Sequence, residues 1–157
     1  SGNLYIYDIN DFSNIKLVST VKNLNVEYLQ INNNKIFART NSKIFVIDIS
    51  DQTDPKVVYE LDRAVLYDST PIFTFSKDST KMFALSNAFS KFYLYIFDIS
   101  NTKNERLISF LEPQLPYTYP ERAFISKDET KVFMANRNYT SIIDITDKTK
   151  PKLIYNN

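Results

Sequence analysis

Apolar residues come along this chain in short bursts that return in a fixed phase. Four bursts align without gaps: Leu4-Tyr-Ile-Tyr-Asp8-Ile-Asn10, Ile44-Phe-Val-Ile-Asp48-Ile-Ser50, Leu94-Tyr-Ile-Phe-Asp98-Ile-Ser100 and Thr140-Ser-Ile-Ile-Asp144-Ile-Thr146. Eight residues beyond each Asp stands a base, Lys16, Lys56, Arg106 or Lys152. A short apolar run follows each base: Leu17-Val18, Val57-Val58, Leu107-Ile108 and Leu153-Ile154. Chance does not preserve one spacing in four copies. Two apolar runs joined by a constant polar connection read as a hairpin.

A second hairpin precedes the first in three copies. Pro71-Ile-Phe-Thr-Phe-Ser76-Lys-Asp78-Ser-Thr-Lys81-Met-Phe-Ala84 aligns with Arg122-Ala-Phe-Ile-Ser126-Lys-Asp128-Glu-Thr-Lys131-Val-Phe-Met-Ala135. Val26-Glu-Tyr-Leu-Gln-Ile31-Asn-Asn-Asn-Lys35-Ile-Phe-Ala38 is a shorter relative. The runs are β-branched and aromatic, and the turns are Asn, Asp, Ser and Lys clusters. No window carries a 3.6-residue period with caps, so the pattern predicts essentially no helix.

Each unit thus predicts four strands, named a, b, c and d, and the fold class is all-β. The repeated Asp residues stand 40, 50 and 46 residues apart. Four antiparallel strands in roughly 40–50 residues is the size of a β-propeller blade. The c strands are nearly continuous in apolar residues, which predicts burial on both faces. The chain opens on a c strand and closes on a d strand. That predicts about three and a half four-stranded antiparallel blades: a c–d half blade at 1–22 and full blades at 23–62, 63–112 and 113–157. Closed propellers have about 4–8 blades, so the expectation is a partial propeller completed by more of the same gene product, a cleaved chain or another copy. Two copies reach seven blades but leave two half blades, which ranks homodimeric closure below the other sources.

Composition narrows the chemistry. Hydrophobic residues are 43% and aromatics 15%, which argues against disorder. A net charge of +1 argues against a nucleic-acid partner. No run approaches the ~18 apolar residues of a membrane helix, and no signal peptide is visible. Cys and His are both absent. Their absence excludes disulfides, thiol nucleophiles, Cys-based zinc sites and Ser-His-Asp or Cys-His catalysis within the chain. Gly occurs once, at Gly2, which excludes Gly-rich phosphate loops and leaves turns to Asn, Asp, Ser and Lys.

The c strands with their exits at Asp48 and Asp98, and the Pro55-Lys-Val-Val and Pro151-Lys-Leu-Ile segments, resemble the LVIVD repeat. The a–b hairpins at Ser76 and Ser126 resemble those of YVTN-type propellers. Ile15 and Glu105 replace the Pro in two copies. The resemblance implies a β-propeller, often a module of bacterial or archaeal surface and secreted proteins, with no shared catalytic residues. It tilts localisation toward the cell surface or exterior.

Candidate chemistry follows. The Asp48-Ile-Ser-Asp51 and Asp144-Ile-Thr-Asp147 turns place oxygens as calcium sites do. Asx-turn bonding to their own backbone is the favoured role, so no metal and no cofactor is expected. The recurring base is expected to be solvated or paired with a turn acid. Most of the Tyr and Phe are expected to fill the core. The binding residues are expected in the connectors that depart from the repeat: Arg63, Tyr67, Phe89, Tyr117, Tyr119 and Arg122. The residues 112–122 hold three of the six prolines, which pre-order a loop, and Tyr and Arg are enriched at interface hot spots. These features predict a non-catalytic binding or scaffold module that holds a protein, peptide or glycan, with no nucleic acid and no membrane insertion. Two alternatives stand beside it. One is part of a propeller hydrolase or lyase using carboxylates such as Asp62, Asp68 and Glu121, with further catalytic residues outside the chain. The other is a purely structural wall of a larger assembly.

Overall fold

A computed structural model describes residues 2–62, 72–88, 91–100, 106–112, 121–135 and 137–157. It divides into two compact units, Ser1–Arg63 and Ala64–Asn157. The first holds a two-stranded sheet, β1 (Leu4–Asp8) and β2 (Lys16–Val21). It also holds a four-stranded sheet in sequence order, β3 (Tyr28–Asn32), β4 (Lys35–Arg39), β5 (Lys43–Asp48) and β6 (Lys56–Asp62). The second unit holds two four-stranded sheets. One is β7 (Ile72–Phe75), β8 (Lys81–Ala88), β9 (Lys91–Asp98) and β10 (Arg106–Leu111). The other is β11 (Arg122–Ile125), β12 (Lys131–Ala135), β13 (Thr140–Asp144) and β14 (Lys152–Asn156). All pairings are antiparallel, and no helix occurs among the described residues. The expected three and a half blades are therefore present, and the first sheet is a c–d hairpin alone.

The registers explain the constant spacing of eight. The c-strand Asp lies directly opposite the base: Asp8↔Lys16, Asp48↔Lys56, Asp98↔Arg106 and Asp144↔Lys152. Each c–d pair then carries a bulge at the same height, which leaves Val18, Val58, Ile108 or Ile154 as the extra residue on the d strand. In the full blades the b strand places a second base on the other side of the Asp: Lys35, Lys81 and Lys131. Each full blade thus ends in a base–acid–base row, in which cross-strand neighbours attract.

Period-two alternation gives every sheet two faces. Face I carries the residue two before the c-strand Asp (Ile6, Val46, Ile96, Ile142). Face II carries the residue just before it (Tyr7, Ile47, Phe97, Ile143). In the first unit, Leu4 and Ile6 on face I of β1–β2 pack on Ile36, Ala38, Phe45 and Ile47 on face II of β3–β6. In the second, Phe83, Leu85, Leu94 and Ile96 on face I of β7–β10 pack on Val132, Met134 and Ile143 on face II of β11–β14. The rule of face I on face II is the same in both units.

The expectation that every c strand is buried on both faces holds for β5 and β9 but not for β1 and β13. Tyr5 and Tyr7 on β1 are 50% and 51% exposed, and Ile142 on β13 is half-buried. Identical strand chemistry does not bury a strand. A second sheet must cover it, and one face of β1–β2 and one of β11–β14 are left open among the described residues.

Candidate functional site

At one end of the blades lie the a–b and c–d turns. There each c-strand Asp accepts the backbone N–H two residues on: Asn10 to Asp8 (2.9 Å), Ser50 to Asp48 (2.8 Å), Ser100 to Asp98 (2.9 Å) and Thr146 to Asp144 (2.8 Å). A second Asx turn follows three residues later. Asp11, Asp51 and Asp147 accept both the N–H (2.9 Å) and the hydroxyl (2.6 Å) of Ser13, Thr53 and Thr149. The favoured Asx-turn role of these carboxylates is thus what the geometry shows: N–H and O–H donors of their own turns bind one oxygen of each.

The a–b turns are a closed hydrogen-bonded knot. The Ser76 hydroxyl donates to Asp78 Oδ1 (2.6 Å) and accepts the Lys81 N–H (2.9 Å), and Asp78 also accepts the Thr80 N–H (3.0 Å). Ser126, Asp128, Thr130 and Lys131 repeat the arrangement. Ser79 and Glu129 occupy the left-handed region, at φ 58° and 56°. Asn33 does so in the β3–β4 turn and Asn23 beyond β2, at φ 51° and 61°. With no glycine to use, the chain places side-chain-bearing residues where glycine would be least strained. Glu129 was not foreseen in that role. Its carboxylate also accepts the Lys77 N–H of the neighbouring blade.

These bonds shape the acid response. The Ser76 hydroxyl, then the Thr80 N–H, lowers Asp78 to about 2. The Ser126 hydroxyl, then the Thr130 N–H, does the same for Asp128. Asp48 is lowered chiefly by the Ser50 N–H and Asp144 by the Thr146 N–H. A carboxylate whose folded pKa lies below its unfolded value of about 3.9 stabilises the fold above that value. The contribution disappears as pH falls through the folded pKa. The thermal midpoint is therefore expected to fall between about pH 4 and pH 2, and Asp78→Asn should flatten that fall in an acid titration followed by circular dichroism.

Asp48, Ser50, Asp51, Asp54, Lys56 and Val58 line a shallow cleft of 220 Å³ at this end. Lys56 Nζ pairs with Asp54 Oδ2 at 3.1 Å, an exposed pair of the strength expected for a surface salt bridge, roughly 0–1 kcal/mol. The cleft is thus lined by groups bound to their own turn. Among the described residues no group of three or more His, Cys, Asp or Glu could hold a metal ion.

The opposite ends of the strands lead into the b–c and d–a connectors. Of the six candidate binding residues, Arg63, Tyr67, Phe89, Tyr117 and Tyr119 lie outside the described residues, as does Asp68. Arg122 opens β11, exposed and in register with Ala135. Glu121 accepts Arg137 Nε at 3.3 Å, and its backbone N–H donates to the Ala135 carbonyl. Asp62 ends β6 opposite Lys43. Arg39 stacks over the Tyr28 ring at 5.5 Å and pairs with Glu27 at 3.8 Å. Arg39, Tyr28 and Glu27 were not singled out from sequence, because they sit inside the repeat and break no pattern, and neither was Arg137, the partner of the candidate carboxylate Glu121.

The family model for the LVIVD repeat matches residues 38–62 and 132–156, from within the b strand through the d strand of the sheets β3–β6 and β11–β14. Solved structures of similar fold include a functionally unknown protein from Desulfotomaculum acetoxidans, with TM-score 0.71 and 15% identity over 98% of this chain and 48% of that one. The periplasmic gluconolactonase PpgL of Pseudomonas aeruginosa gives 0.69 and 11% over 99% and 50%. TolB from Acinetobacter baumannii gives 0.54 and 14% over 92% and 35%. No curated protein matches the sequence. The fold is that of a β-propeller. Two of its four repeat copies match the LVIVD repeat, and the chain spans about half the length of these structures or less.

Proposed function

We propose that this chain is a non-catalytic binding or scaffold module, a set of blades within a larger propeller. Its connectors hold a protein, peptide or glycan, and further blades complete its open faces. The observation that carries this reading is the commitment of the repeated carboxylates. Every one described at the turn end is bound to its own turn, and the chain has neither His nor Cys to serve as base or nucleophile. Variable chemistry is then left to the connectors, where Arg63, Tyr67, Phe89, Tyr117, Tyr119 and Arg122 are the residues suited to anchoring a partner. The periplasmic gluconolactonase and TolB share this fold at low identity, so fold alone does not separate catalysis from binding.

Tyr117→Ala with Tyr119→Ala is expected to weaken binding on peptide and glycan arrays by about 30-fold or more, the size of a hot-spot loss. The thermal midpoint should stay within a few degrees of the parent. Unchanged binding by the double variant would remove these residues from the site. Turnover of a lactone or ester by the purified chain would overturn the non-catalytic assignment.

A further inference from the structure

The four repeat copies are not equal, and three positions sort them in the same way. The residue before the c-strand Asp is aromatic in the first and third copies (Tyr7, Phe97) and Ile in the second and fourth (Ile47, Ile143). The residue before the recurring base is Ile15 or Glu105 in the first and third, and Pro55 or Pro151 in the second and fourth. On the d strand, three residues beyond the base, the first and third carry Ser19 and Ser109, and the second and fourth carry Tyr59 and Tyr155. The bulged c–d register is common to all four, so the difference lies in side chains.

Hydrogen bonds sort the copies once more. Ser19 Oγ, half-buried on β2, donates to the Gln52 carbonyl in the c–d turn of the next sheet (2.6 Å). Ser109 Oγ, half-buried on β10, donates to the Lys148 carbonyl in the c–d turn of the next sheet (2.5 Å). Gln52 and Lys148 hold one repeat position, four residues beyond Asp48 and Asp144. Each lies inside the second Asx turn, between Asp51 and Thr53 or Asp147 and Thr149, so the bonds that close that turn also hold the acceptor. Ser19 stands opposite Ile6 and Ser109 opposite Ile96. Both hydroxyls therefore leave from face I, which packs on the next sheet of the same unit. Tyr59 takes the corresponding place on β6 and is 4% exposed. A phenol carries its oxygen at the far end of a ring, so the same short bridge from Cβ is not available there.

We propose that Ser19 and Ser109 are latches that join the copies two by two, and that the repeating module of this chain is a latched pair: a Ser-bearing copy followed by a Tyr-bearing copy. Each compact unit, Ser1–Arg63 and Ala64–Asn157, holds one such pair. In a repeat array a copy is held by its own bonds and by the contact with its neighbour. A hydroxyl that reaches into the neighbour's turn adds to the second of these, and it ties the d strand of one copy to the Asx turn of the next. The latch goes beyond the binding-module reading and does not depend on it, since a catalytic or a purely structural pair of blades would be joined in the same way.

Amide hydrogen exchange of the whole chain, resolved by residue with NMR, reads local opening and supplies the test. Ser109→Ala is expected to speed exchange about 2- to 10-fold in β10 and in the turn at 146–151, the size of losing one neutral hydrogen bond. It should leave β2 and the turn at 50–55 at the parent rates. Ser19→Ala should do the reverse. Ser109→Thr and Ser19→Thr keep a hydroxyl on Cβ and should hold the parent rates, which separates the bond from simple packing. Circular dichroism checks that the sheets persist in all four variants. Alanine variants that exchange at the parent rates overturn the latch, and so do threonine variants as fast as the alanine ones. If each alanine variant speeds both turns alike, the pair is not the module.

Discussion

Phe83→Ala should lower the free energy of unfolding by about 3–5 kcal/mol, the range for truncating a buried Phe. Phe133→Ala should cost only about 1–2 kcal/mol at dilution, since less area leaves water at a partly open site. The two residues occupy the same repeat position, on the b strand two residues after a turn lysine. They differ in cover. Phe83 is fully buried against Val132, Met134 and Ile143, so its removal leaves a cavity that rigid β-sheets cannot close. Phe133 leans on Phe124 and water. Urea titrations should show the midpoint shifting much further for Phe83→Ala with an unchanged slope. Equal losses would mean that the face of β11–β14 is not open. With total stabilities of about 5–15 kcal/mol, the first substitution removes a large part of the whole.

Ser76→Ala should be the next most costly, at about 1–3 kcal/mol. The Ser76 hydroxyl is nearly inaccessible and does two jobs, donating to Asp78 and accepting from the Lys81 N–H. Alanine removes the acceptor of that N–H and strips Asp78 of the donor that contributes most to its low pKa. Two readouts should therefore move together. The unfolding midpoint should drop at neutral pH, and the acid limb should become shallower because Asp78 then titrates closer to its unfolded value. Ser126→Ala, at a half-buried copy of the same turn, should cost less. A Ser76→Ala protein with a full acid limb and unchanged midpoint would show that the knot does not hold the turn.

The blades were legible in the sequence because a hairpin's register depends on the length of its connection. Asp48 and Lys56 are eight apart, as are Asp8 and Lys16, and the structure places both pairs directly opposite. The Asx turns were legible for a similar reason: a local bond needs only local spacing. The burial of Phe133 was not legible. It is chemically identical to Phe83, and its cover depends on which sheet lies beyond it, a non-local fact that a repeat conceals. The Arg39–Tyr28 stack escaped notice because cross-strand partners at the far end of a hairpin are distant in sequence and ordinary in type. The connectors stood out because they break the period, yet their geometry lies outside the described residues except at Arg122 and the residues beside it.

The bulge beside each c-strand Asp has a consequence for interchangeability. A bulge bends its strand and increases the local twist. Four bulges at one height put the same bend into every outermost strand, whatever the length of the connector that follows. Spacing from Asp to base never varies, while the full period runs from 40 to 50 residues. Length change therefore falls outside the segment from Asp to base, where it cannot slip the c–d pairing. Every blade keeps one contour, like parts cut to a common gauge, so a blade from any position presents a surface that its successor is shaped to accept.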